Sequence, residues 1–295
     1  MPIDQAQGIQ KRKPPWLRRR LPSGSTYQKI RNILKKGQLY TVCQEAHCPN
    51  LGECFSRGTA TFLILGDHCT RNCRFCAVSH GPTVPPDPEE SRKVSEAVLR
   101  MRLDYVVITS VTRDDLSDGG AGHFAQTIRE IRRLVPKAQI EVLIPDFQGA
   151  EGALETVVKA RPDVLNHNLE TVPRLYPKVR PGADYGRSLN IIKHVQTLDP
   201  SMPTKSGLML GLGEYPEEVR RVLGDLLRVQ CRILTLGQYL QPSAEHLPVE
   251  HFIPPEEFDQ WRQTALKMGF SEVASGPFVR SSYHAKELYR ASTTP

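Results

Sequence analysis

The chain has 295 residues, of which 39% are hydrophobic, and this composition is sufficient for one large core. No apolar run approaches the roughly 20 residues of a membrane-spanning helix, and the first residues lack a signal-peptide or transit-peptide pattern. The formal net charge is +7, and the seven cysteines are clustered rather than spread. Clustered cysteines without a secretory signal argue against disulfides, so we expect a reducing, cytoplasmic compartment.

A basic segment lies near the start of the chain. Residues 11–20 carry six cations, interrupted by two prolines. Such a segment is typical of a nucleic-acid-binding tail or of an extended arm anchored by Trp16 and Leu17. The arm is favoured, because aromatic residues for base stacking are not repeatedly interleaved with the cations. A short basic helix is predicted next, at residues 27–36.

The first cysteine triplet follows this helix. Cys43, Cys48 and Cys54 form the pattern C-x4-C-x5-C, with no obvious fourth ligand nearby. Disulfides are the competing interpretation, but three thiolates this close suit an iron–sulfur cluster, which ordinarily takes four cysteines. We therefore predict a metal site at this triplet.

A second triplet, Cys69, Cys73 and Cys76, follows an apolar run at residues 61–65. The alternatives are a zinc knuckle or buried free thiols, but zinc usually takes paired C-x2-C units or added histidines. A cluster with three protein ligands keeps one iron open for another molecule. Cys231 is left over, and we expect it to behave as a small buried hydrophobe.

Six apolar strands are predicted, each followed by a helix. The strands are residues 61–65, 106–111, 140–144, 164–169, 206–212 and 233–240, and the helices are about 89–102, 122–134, 150–160, 186–198, 216–229 and 255–268. This alternation predicts a parallel sheet with right-handed crossovers, two units short of a complete (β/α)8 barrel. A doubly wound sheet is the alternative, but no Gly-x-Gly-x-x-Gly follows the first strand.

The second triplet resembles the signature of the radical S-adenosylmethionine (SAM) superfamily, with Phe75 before the last cysteine. The resemblance implies that Cys69, Cys73 and Cys76 are catalytic and hold a [4Fe–4S] cluster whose open iron binds SAM. It also implies an α/β fold, an open (β/α)6 partial TIM barrel, which agrees with the six predicted units.

Polar residues at the carboxyl ends of the predicted strands are candidate SAM contacts, because barrel active sites lie there. Asn168 and Glu170 suit ribose hydroxyls or an ammonium group, and Arg180 suits bidentate pairing with the methionyl carboxylate. Gly211 lies in a stretch that resembles the superfamily's adenine-contacting strand, although such glycines are commonly turn residues. Four nearby residues are equally well explained as loop caps or a satisfied core histidine: Asp114, Asp115, Asp118 and His167.

Longer motifs resemble the lipoyl synthase family over about residues 14–290. They lie at residues 43–54, 58–66, 109–116, 166–170 (Asn-His-Asn-Leu-Glu), 179–185, 237–243 and 276–283. The resemblance implies radical SAM insertion of two sulfur atoms at carbons 6 and 8 of an octanoyl chain on a carrier lysine. Two SAM molecules are cleaved to methionine and a hydrogen-abstracting radical, and an auxiliary [4Fe–4S] cluster supplies the sulfur.

The resemblance also implies the remaining ligands and the partners. Cys43, Cys48 and Cys54 would hold the auxiliary cluster with a serine of residues 280–283, Ser282 rather than Ser281; from the residues alone this stretch is a solvated turn. The carriers would be lipoyl domains of 2-oxoacid dehydrogenase acyltransferase subunits and the glycine cleavage H protein, which the basic segment would steer if they are acidic. An electron donor such as ferredoxin or flavodoxin and an iron–sulfur carrier are expected, but no nucleic acid and no membrane.

Three regions are predicted: a basic arm with the auxiliary-cluster segment at 1–58, the barrel at 59–270, and a C-terminal extension closing on the auxiliary cluster at 271–295. Two other functions stay open. A methylthiolating radical SAM enzyme acting on RNA or protein would usually add a nucleic-acid-binding domain, for which we expect no room. A non-enzymatic iron–sulfur sensor would hold clusters without cleaving SAM.

Overall fold

The computed structural model describes residues 13–18 and 24–293. Its centre is one eight-stranded sheet whose strand order follows the chain, so that β1 and β8 are its two edges. The strands are β1 (Tyr40–Thr41), β2 (Thr61–Ile64), β3 (Tyr105–Ser110), β4 (Gln139–Leu143), β5 (Val164–Asn166), β6 (Thr204–Leu210), β7 (Ile233–Gln238) and β8 (Glu272–Gly276). Strands β2 to β8 pair in parallel, and β1 pairs antiparallel with β2.

Eleven α-helices connect and flank these strands in the described part of the chain. They are α1 (Ser25–Gly37), α2 (Val42–Glu45), α3 (Leu51–Ser56), α4 (Glu90–Met101), α5 (Ala121–Leu134), α6 (Glu151–Lys159), α7 (Tyr176–Val179), α8 (Tyr185–Leu198), α9 (Pro216–Arg228), α10 (Pro255–Met268) and α11 (Ala285–Thr293). None of the helices described here is both long and apolar enough to cross a membrane.

The predicted six-unit parallel core is confirmed by β2 to β7 and their helices. The doubly wound alternative is wrong, because that topology requires the strand order to reverse, whereas here the order follows the chain. Strands β1 and β8 and helix α11 were not predicted. The two strands are short, with two and five residues, and β8 has a half-exposed pattern that differs from the apolar runs of the core.

The core lies on both faces of the sheet, as expected for parallel strands covered by helices. In β2, Phe62 and Ile64 are completely buried. On the outer face, α5 buries Phe124, Ile128 and Ile131 at the spacing of one helical side. The helices therefore hold the strands in place, and the carboxyl ends of the strands are left to carry the loops.

The turn at the end of β2 is fixed by a buried carboxylate. Leu65 has a left-handed φ of 70°, and its N–H donates to Glu90 Oε2 at 2.7 Å. His123 Nε2 lies 2.7 Å from the same oxygen. Gly120 is required here, because a Cβ at that position would lie 2.2 Å from Leu65 Cδ1. This turn sets the direction in which the second cysteine triplet leaves the sheet.

The basic segment is described only at residues 13–18; residues 11, 12, 19 and 20 lie outside the described residues. Leu17 is 6% exposed, so its predicted role as an anchor is supported, whereas Trp16 is 40% exposed and is a poor anchor. Lys13 lines the large cavity that contains the cysteine triplets. The segment therefore reaches the site itself.

Candidate active site with two cysteine triplets

A cavity of about 420 Å³ lies at the carboxyl ends of the strands, and both triplets line it. Its lining includes all the predicted metal ligands and three of the four predicted SAM contacts: Cys43, Cys48, Cys54, Cys69, Cys73, Cys76, Ser282, Asn168, Glu170 and Arg180. The fold thus brings together residues that are up to about 240 positions apart in the sequence. All seven cysteines are free thiols, and Cys231 is completely buried as predicted.

The loop of the second triplet, residues 69–76, is held by backbone hydrogen bonds. Cys69 Sγ accepts from the N–H groups of Arg71 at 3.4 Å and Thr112 at 3.3 Å. These two N–H groups fix the position of the Cys69 sulfur in the loop. Burial raises the pKa of Cys76 to about 12 and also raises that of Cys73, so iron binding must displace protons from these two thiols.

Arg71, inside the same loop, ties it to two strand ends. Its guanidinium lies 2.6 Å from Asp114 after β3 and 2.6 Å from Asp146 after β4, and it is 8% exposed. Burial raises the pKa of Asp146, but the hydrogen bond and charge of Arg71 outweigh it and bring that pKa to about 2. Sequence reasoning missed Arg71, because the only signal was an arginine between two cysteines.

The loop is also tied to the segment that follows β7. Leu247 N–H donates to the Arg74 carbonyl oxygen at 3.1 Å. His246 Nε2 lies 3.0 Å from the carbonyl oxygen of Cys76, and its Nδ1 lies 2.8 Å from Ser243 Oγ. Together with Arg71, these contacts fix both ends of the cysteine loop.

The two other aspartates that the sequence singled out have structural roles near the strand ends. Asp118 caps a turn by accepting from Gly120 N–H and Gly122 N–H, each at 2.8 Å. Asp115 pairs with Arg113 at 2.8 Å. The structural interpretation is therefore sufficient for Asp115 and Asp118, whereas Asp114 belongs to the Arg71 anchor.

Glu170 and Asn168 form a rigid pair against β6. Glu170 has a left-handed φ of 64°, its N–H donates to the Gly207 carbonyl oxygen at 2.9 Å, and its own carbonyl oxygen accepts from Met209 N–H at 2.8 Å. Asn168 Nδ2 donates to Glu170 Oε1 at 3.0 Å, while Asn168 Oδ1 is buried without a partner. Burial raises the pKa of Glu170, although Arg180 and Asn168 act against this shift.

Arg180 presents an unused donor to the cavity. Its Nη1 donates to the carbonyl oxygens of Asn168 at 3.0 Å and Leu169 at 3.1 Å, and to Tyr176 Oη at 3.1 Å. Its Nε is buried without a partner. A buried guanidinium nitrogen with no acceptor fits a bound carboxylate, as the methionyl group of SAM would provide.

His167 is only half satisfied, so its interpretation as a satisfied core histidine is incomplete. Its Nδ1 donates to the Ile144 carbonyl oxygen at 2.9 Å, which leaves Nε2 as an acceptor that is buried without a partner. Burial, helped by the charge of Arg180, lowers the pKa of His167 to about 4. The neutral ring therefore offers an acceptor to a ligand N–H or O–H group in the cavity that it lines.

The prediction that Gly211 contacts SAM is not supported by its position. Gly211 is not among the residues that line the cavity, whereas Gly207, earlier in the same motif, is. Gly211 has a φ of 99°, and a Cβ there would lie 2.3 Å from both Gln238 Nε2 and the His251 carbonyl oxygen. It is a turn glycine, and at Gly207 the missing side chain lets Asn168 and Thr235 approach the strand.

The first triplet is carried by two short helices. Cys43 lies in α2 and Cys54 in α3, and Cys48 lies between them. Burial raises the pKa of Cys43 to about 12 and that of Cys54 to about 11, and neighbouring Cys48 adds to both shifts. Within the described residues no three His, Cys, Asp or Glu side chains could hold one metal ion together; in a cubane each thiolate binds a different iron.

The segment after β8 closes against the first triplet. Asn50 Nδ2 donates to the Phe278 carbonyl oxygen at 2.6 Å, and Tyr283 Oη donates to Glu53 Oε1 at 3.1 Å. Ser281 and Ser282 both line the main cavity. A second cavity of about 270 Å³ is also lined by Cys43, Cys54 and Ser282.

Comparisons with known proteins define the class of protein. The model of the Radical SAM superfamily matches residues 63–226. HydG, a maturase of the [FeFe]-hydrogenase, superposes with a TM-score of 0.54 at 15% identity, covering 90% of this chain and 71% of that chain. Streptococcus suis SuiB bound to S-adenosylmethionine gives a TM-score of 0.54 at 10% identity, over 74% and 51% of the two chains. These structures show the fold alone; together with the family match, they define a radical SAM protein.

Relatives at higher identity define the family. The model of the N-terminal domain of lipoyl synthase matches residues 2–48. The lipoyl synthase of Desulfotalea psychrophila is 59% identical over 278 residues, which is 94% of this chain and 93% of that protein. The lipoyl synthase of Caldanaerobacter subterraneus is 57% identical over 274 residues, or 93% and 96% of the two chains. The chain belongs to the lipoyl synthase family.

Membership of this family settles the class of activity. The chain is a radical SAM sulfurtransferase that uses SAM and [4Fe–4S] clusters in making the lipoyl cofactor. The methylthiotransferase and sensor alternatives are therefore set aside. The roles of individual residues in this activity rest on the geometry described above.

Proposed function

We propose that the two triplets divide the synthesis of the lipoyl group between them. The observation that carries this proposal is that one cavity is lined by both triplets, by Ser282 and by Asn168, Glu170 and Arg180. When bound, a [4Fe–4S] cluster at Cys69, Cys73 and Cys76 supplies the electron for SAM cleavage, and a cluster at the first triplet supplies sulfide. The residues of the chain bind these groups and hold the octanoyl chain between them.

The SAM contacts follow from the unpartnered atoms. Arg180 Nε donates to the methionyl carboxylate, and Asn168 Oδ1 and the Glu170 carboxylate accept from the ammonium group or the ribose hydroxyls. Gly207, which lines the cavity whereas Gly211 does not, is the proposed contact of the adenine ring on this strand. Because these groups are held by the backbone of β6 and by Tyr176, they need little rearrangement on binding.

Ser282 is the proposed fourth ligand of the auxiliary cluster. Both serines line the main cavity, but Ser282 also lines the second cavity, as Cys43 and Cys54 do. Its neighbour Tyr283 is hydrogen-bonded to Glu53, one residue before Cys54. A serine oxygen is a harder ligand than a thiolate and matches iron–sulfur chemistry less well, which suits a cluster that is taken apart in each cycle.

The substrates are lipoyl carrier proteins bearing an octanoyl-lysine. We propose the lipoyl domains of 2-oxoacid dehydrogenase acyltransferase subunits and the glycine cleavage H protein, with ferredoxin or flavodoxin as the electron donor and an iron–sulfur carrier to restore the cluster. A reducing cytoplasm is the proposed compartment, supported by the seven free cysteines. Lys13, which lines the cavity, supports docking of an acidic carrier.

One experiment tests the proposed function. The protein is reconstituted anaerobically with iron and sulfide and incubated with SAM, dithionite and an octanoyl-lysine peptide, and the peptide is analysed by mass spectrometry. We expect a gain of two sulfur atoms together with 5′-deoxyadenosine. SAM cleavage without sulfur insertion into this peptide, or insertion that persists in the variant Cys48→Ala, would contradict the proposal.

A further inference from the structure

The main cavity has an apolar wall between the proposed SAM contacts and the first triplet. The proposed SAM contacts lie on β6 and in the segment after β5, whereas the first triplet follows β1. Leu63 on β2, Thr109 on β3 and Leu143 on β4 line the cavity between them. After β7 and β8, Gln241 and Arg280 add polar groups to the lining. The wall formed by β2 to β4 therefore suits an octanoyl chain better than the opposite wall does.

Leu63, Thr109 and Leu143 form one layer of side chains, which we call the floor layer. Leu63 is the partner of Thr109 across β2 and β3, and Thr109 is the partner of Leu143 across β3 and β4. Partners in neighbouring strands present their side chains on the same face of a sheet. Thr109 Oγ1 donates to the Leu143 carbonyl oxygen at 3.0 Å, so its polar atom is satisfied within the sheet. The floor layer therefore offers apolar atoms to a ligand.

The space beneath Leu143 is filled by a buried ion pair. Glu141 lies two residues earlier on β4, on the same face and roughly 7 Å further from the cavity. Its carboxylate lies 2.9 Å from Lys205 Nζ, and both side chains are 1% exposed. Tyr105 Oη donates to the other oxygen of Glu141 at 2.6 Å. A shorter side chain at Leu143 would therefore expose a packed, charged layer and would not open a deeper cavity.

The space beneath Leu63 is different, because the second cavity lies there. Thr61 and Val107 are partners two residues before Leu63 and Thr109 on the same strands. Thr61 and Val107 line the second cavity of about 270 Å³, whereas Leu63 and Thr109 line the main one. Along β2 and β3 the floor layer is therefore the partition between the two cavities, and Leu63 is its larger side chain.

Leu63 is also close to the first triplet. It is the partner of Tyr40 across β1 and β2, and Cys43 follows three residues after Tyr40. Leu63 and Cys43 are 3% and 4% exposed and belong to the same core cluster. Carbon 8, one of the two carbons that receive sulfur, is the terminal methyl carbon of an octanoyl chain. A chain that ends at Leu63 therefore has this carbon beside the proposed sulfur source.

We propose that Leu63 determines the length of acyl chain that the enzyme accepts, because the terminal methyl group of the octanoyl chain rests on its side chain. This inference rests on the proposed function, in which the octanoyl chain lies between the two triplets. The side chain at this position closes the way to the second cavity, so a longer chain cannot extend while its carbonyl end stays at the mouth. Carbons 6 and 8 are thereby held at fixed depths.

The test compares acyl chains of different length on one peptide. Leu63→Ala opens the partition, and Leu143→Ala is the matched control, because it removes the same atoms from the same layer above the packed ion pair. Hexanoyl-, octanoyl- and decanoyl-lysine peptides are titrated anaerobically into the reconstituted enzyme with SAM. No reductant is added, so that the dissociation constant is measured without turnover. Leu63→Phe is the second variant at the same position, and it fills space that Leu63→Ala empties.

We expect the preference for decanoyl over octanoyl peptide to rise about tenfold in Leu63→Ala, which corresponds to about 1.4 kcal/mol, because two further methylene groups become buried. Leu143→Ala should weaken binding of both peptides equally and leave their ratio unchanged. Leu63→Phe should shift the preference toward the hexanoyl peptide, and it decides the question alone if Leu63→Ala does not fold.

Unchanged ratios in both Leu63 variants, or the same shift in Leu143→Ala as in Leu63→Ala, would overturn the proposal. Failure of the proposed function would appear separately, as absence of sulfur insertion into the octanoyl peptide by the reduced native enzyme.

Discussion

The two cysteine triplets occupy one cavity but are built in different ways. Residues 69–76 form a single loop, whose ends are held by Arg71, by His246 and by N–H groups directed at Cys69 Sγ. The first triplet is spread over two short helices and is closed by a segment about 230 residues later. Thiol acidity does not separate them, because burial raises the pKa of both Cys76 and Cys43 to about 12.

The difference lies in how firmly each site is held. The loop is fixed by ion pairs and main-chain bonds that do not depend on a cluster, so it can keep its shape through repeated electron transfer. The first triplet depends on contacts between distant segments, and its proposed fourth ligand is a serine. This difference fits the proposed roles, in which the cluster at the first triplet is exchanged and the cluster at residues 69–76 is retained.

The largest effect is expected when one cysteine of the loop at residues 69–76 is removed. Cys73→Ala should abolish SAM cleavage while leaving the auxiliary cluster assembled, so that bound iron and sulfide fall to about half. The measurement is 5′-deoxyadenosine formed with dithionite, with iron and sulfide analysis. Cys231→Ala is the matched control and should keep both clusters. A normal rate of cleavage in Cys73→Ala would mean that the roles of the triplets are wrongly assigned.

Removing a ligand of the first triplet should give the reverse pattern. Cys48→Ala keeps the loop and its anchors, so it should still cleave SAM, but no sulfide is available to the octanoyl chain. Mass spectrometry of the octanoyl peptide should show no added sulfur. Thiolated peptide from this variant would show that the sulfur has another source.

Substitution of Ser281 and Ser282 tests the proposed fourth ligand of the cluster at the first triplet. Ser282→Ala should lower sulfur insertion about ten- to a hundredfold, which corresponds to about 1.4–3 kcal/mol, and leave SAM cleavage unchanged. Ser281→Ala is the matched control and should have little effect. Ser282→Cys should hold its iron more tightly and react more slowly, because a thiolate is the softer ligand. Loss of insertion in Ser281→Ala alone would reverse the assignment.

The anchor of the loop can be tested by stability. Arg71→Met leaves the buried Asp146 carboxylate without this partner and should lower the free energy of unfolding by about 3 kcal/mol, whereas exposed Arg133→Met should change little. Because the pKa of Asp146 is lowered in the folded protein, the ion pair with Arg71 adds to the free energy of unfolding at pH values above the ordinary carboxyl pKa. This addition is lost as the pH falls toward 2. The difference in free energy of unfolding between the native protein and Arg71→Met should therefore be constant from about pH 5 to 8. It is measured by urea unfolding of the two proteins without clusters. Equal free energies of unfolding for the native protein and the variant at neutral pH would show that Arg71 does not anchor the loop.

The smallest expected effect concerns the basic segment. Neutralising its cations, including Lys13 at the cavity, should raise KM severalfold for a whole carrier protein at low salt, because steering depends on unscreened charge. A short octanoyl peptide should be unaffected. Equal effects on both substrates would leave the segment only a structural role.

The sequence predicted the barrel well and the site unevenly, for physical reasons. Continuous apolar runs and helical periodicity identified β2 to β7, since core burial is encoded in local composition. Strand β8 and helix α11 are half-exposed and depend on contacts with β7 and β3, which no local pattern encodes. The cysteine spacings located both triplets directly.

The finer contacts could not be predicted because they depend on where chains meet in space. Gly207 and Gly211 are four residues apart in one motif, and only the fold shows which of them lines the cavity. His167 and Arg180 were ambiguous until the structure showed which of their nitrogens have no partner. Arg71 became visible as an anchor only when Asp114 and Asp146 were seen beside it.

The hydrogen bond between Asn50 and the Phe278 carbonyl, which joins residues 228 positions apart, has a consequence for synthesis of the protein. On the ribosome, the first triplet emerges before any barrel strand except β1, whereas its closing segment follows β8. Contacts of such long range form late in folding. The nascent chain therefore exposes three thiols before the segment that closes on them has been made, and closure of this site follows translation of the whole barrel.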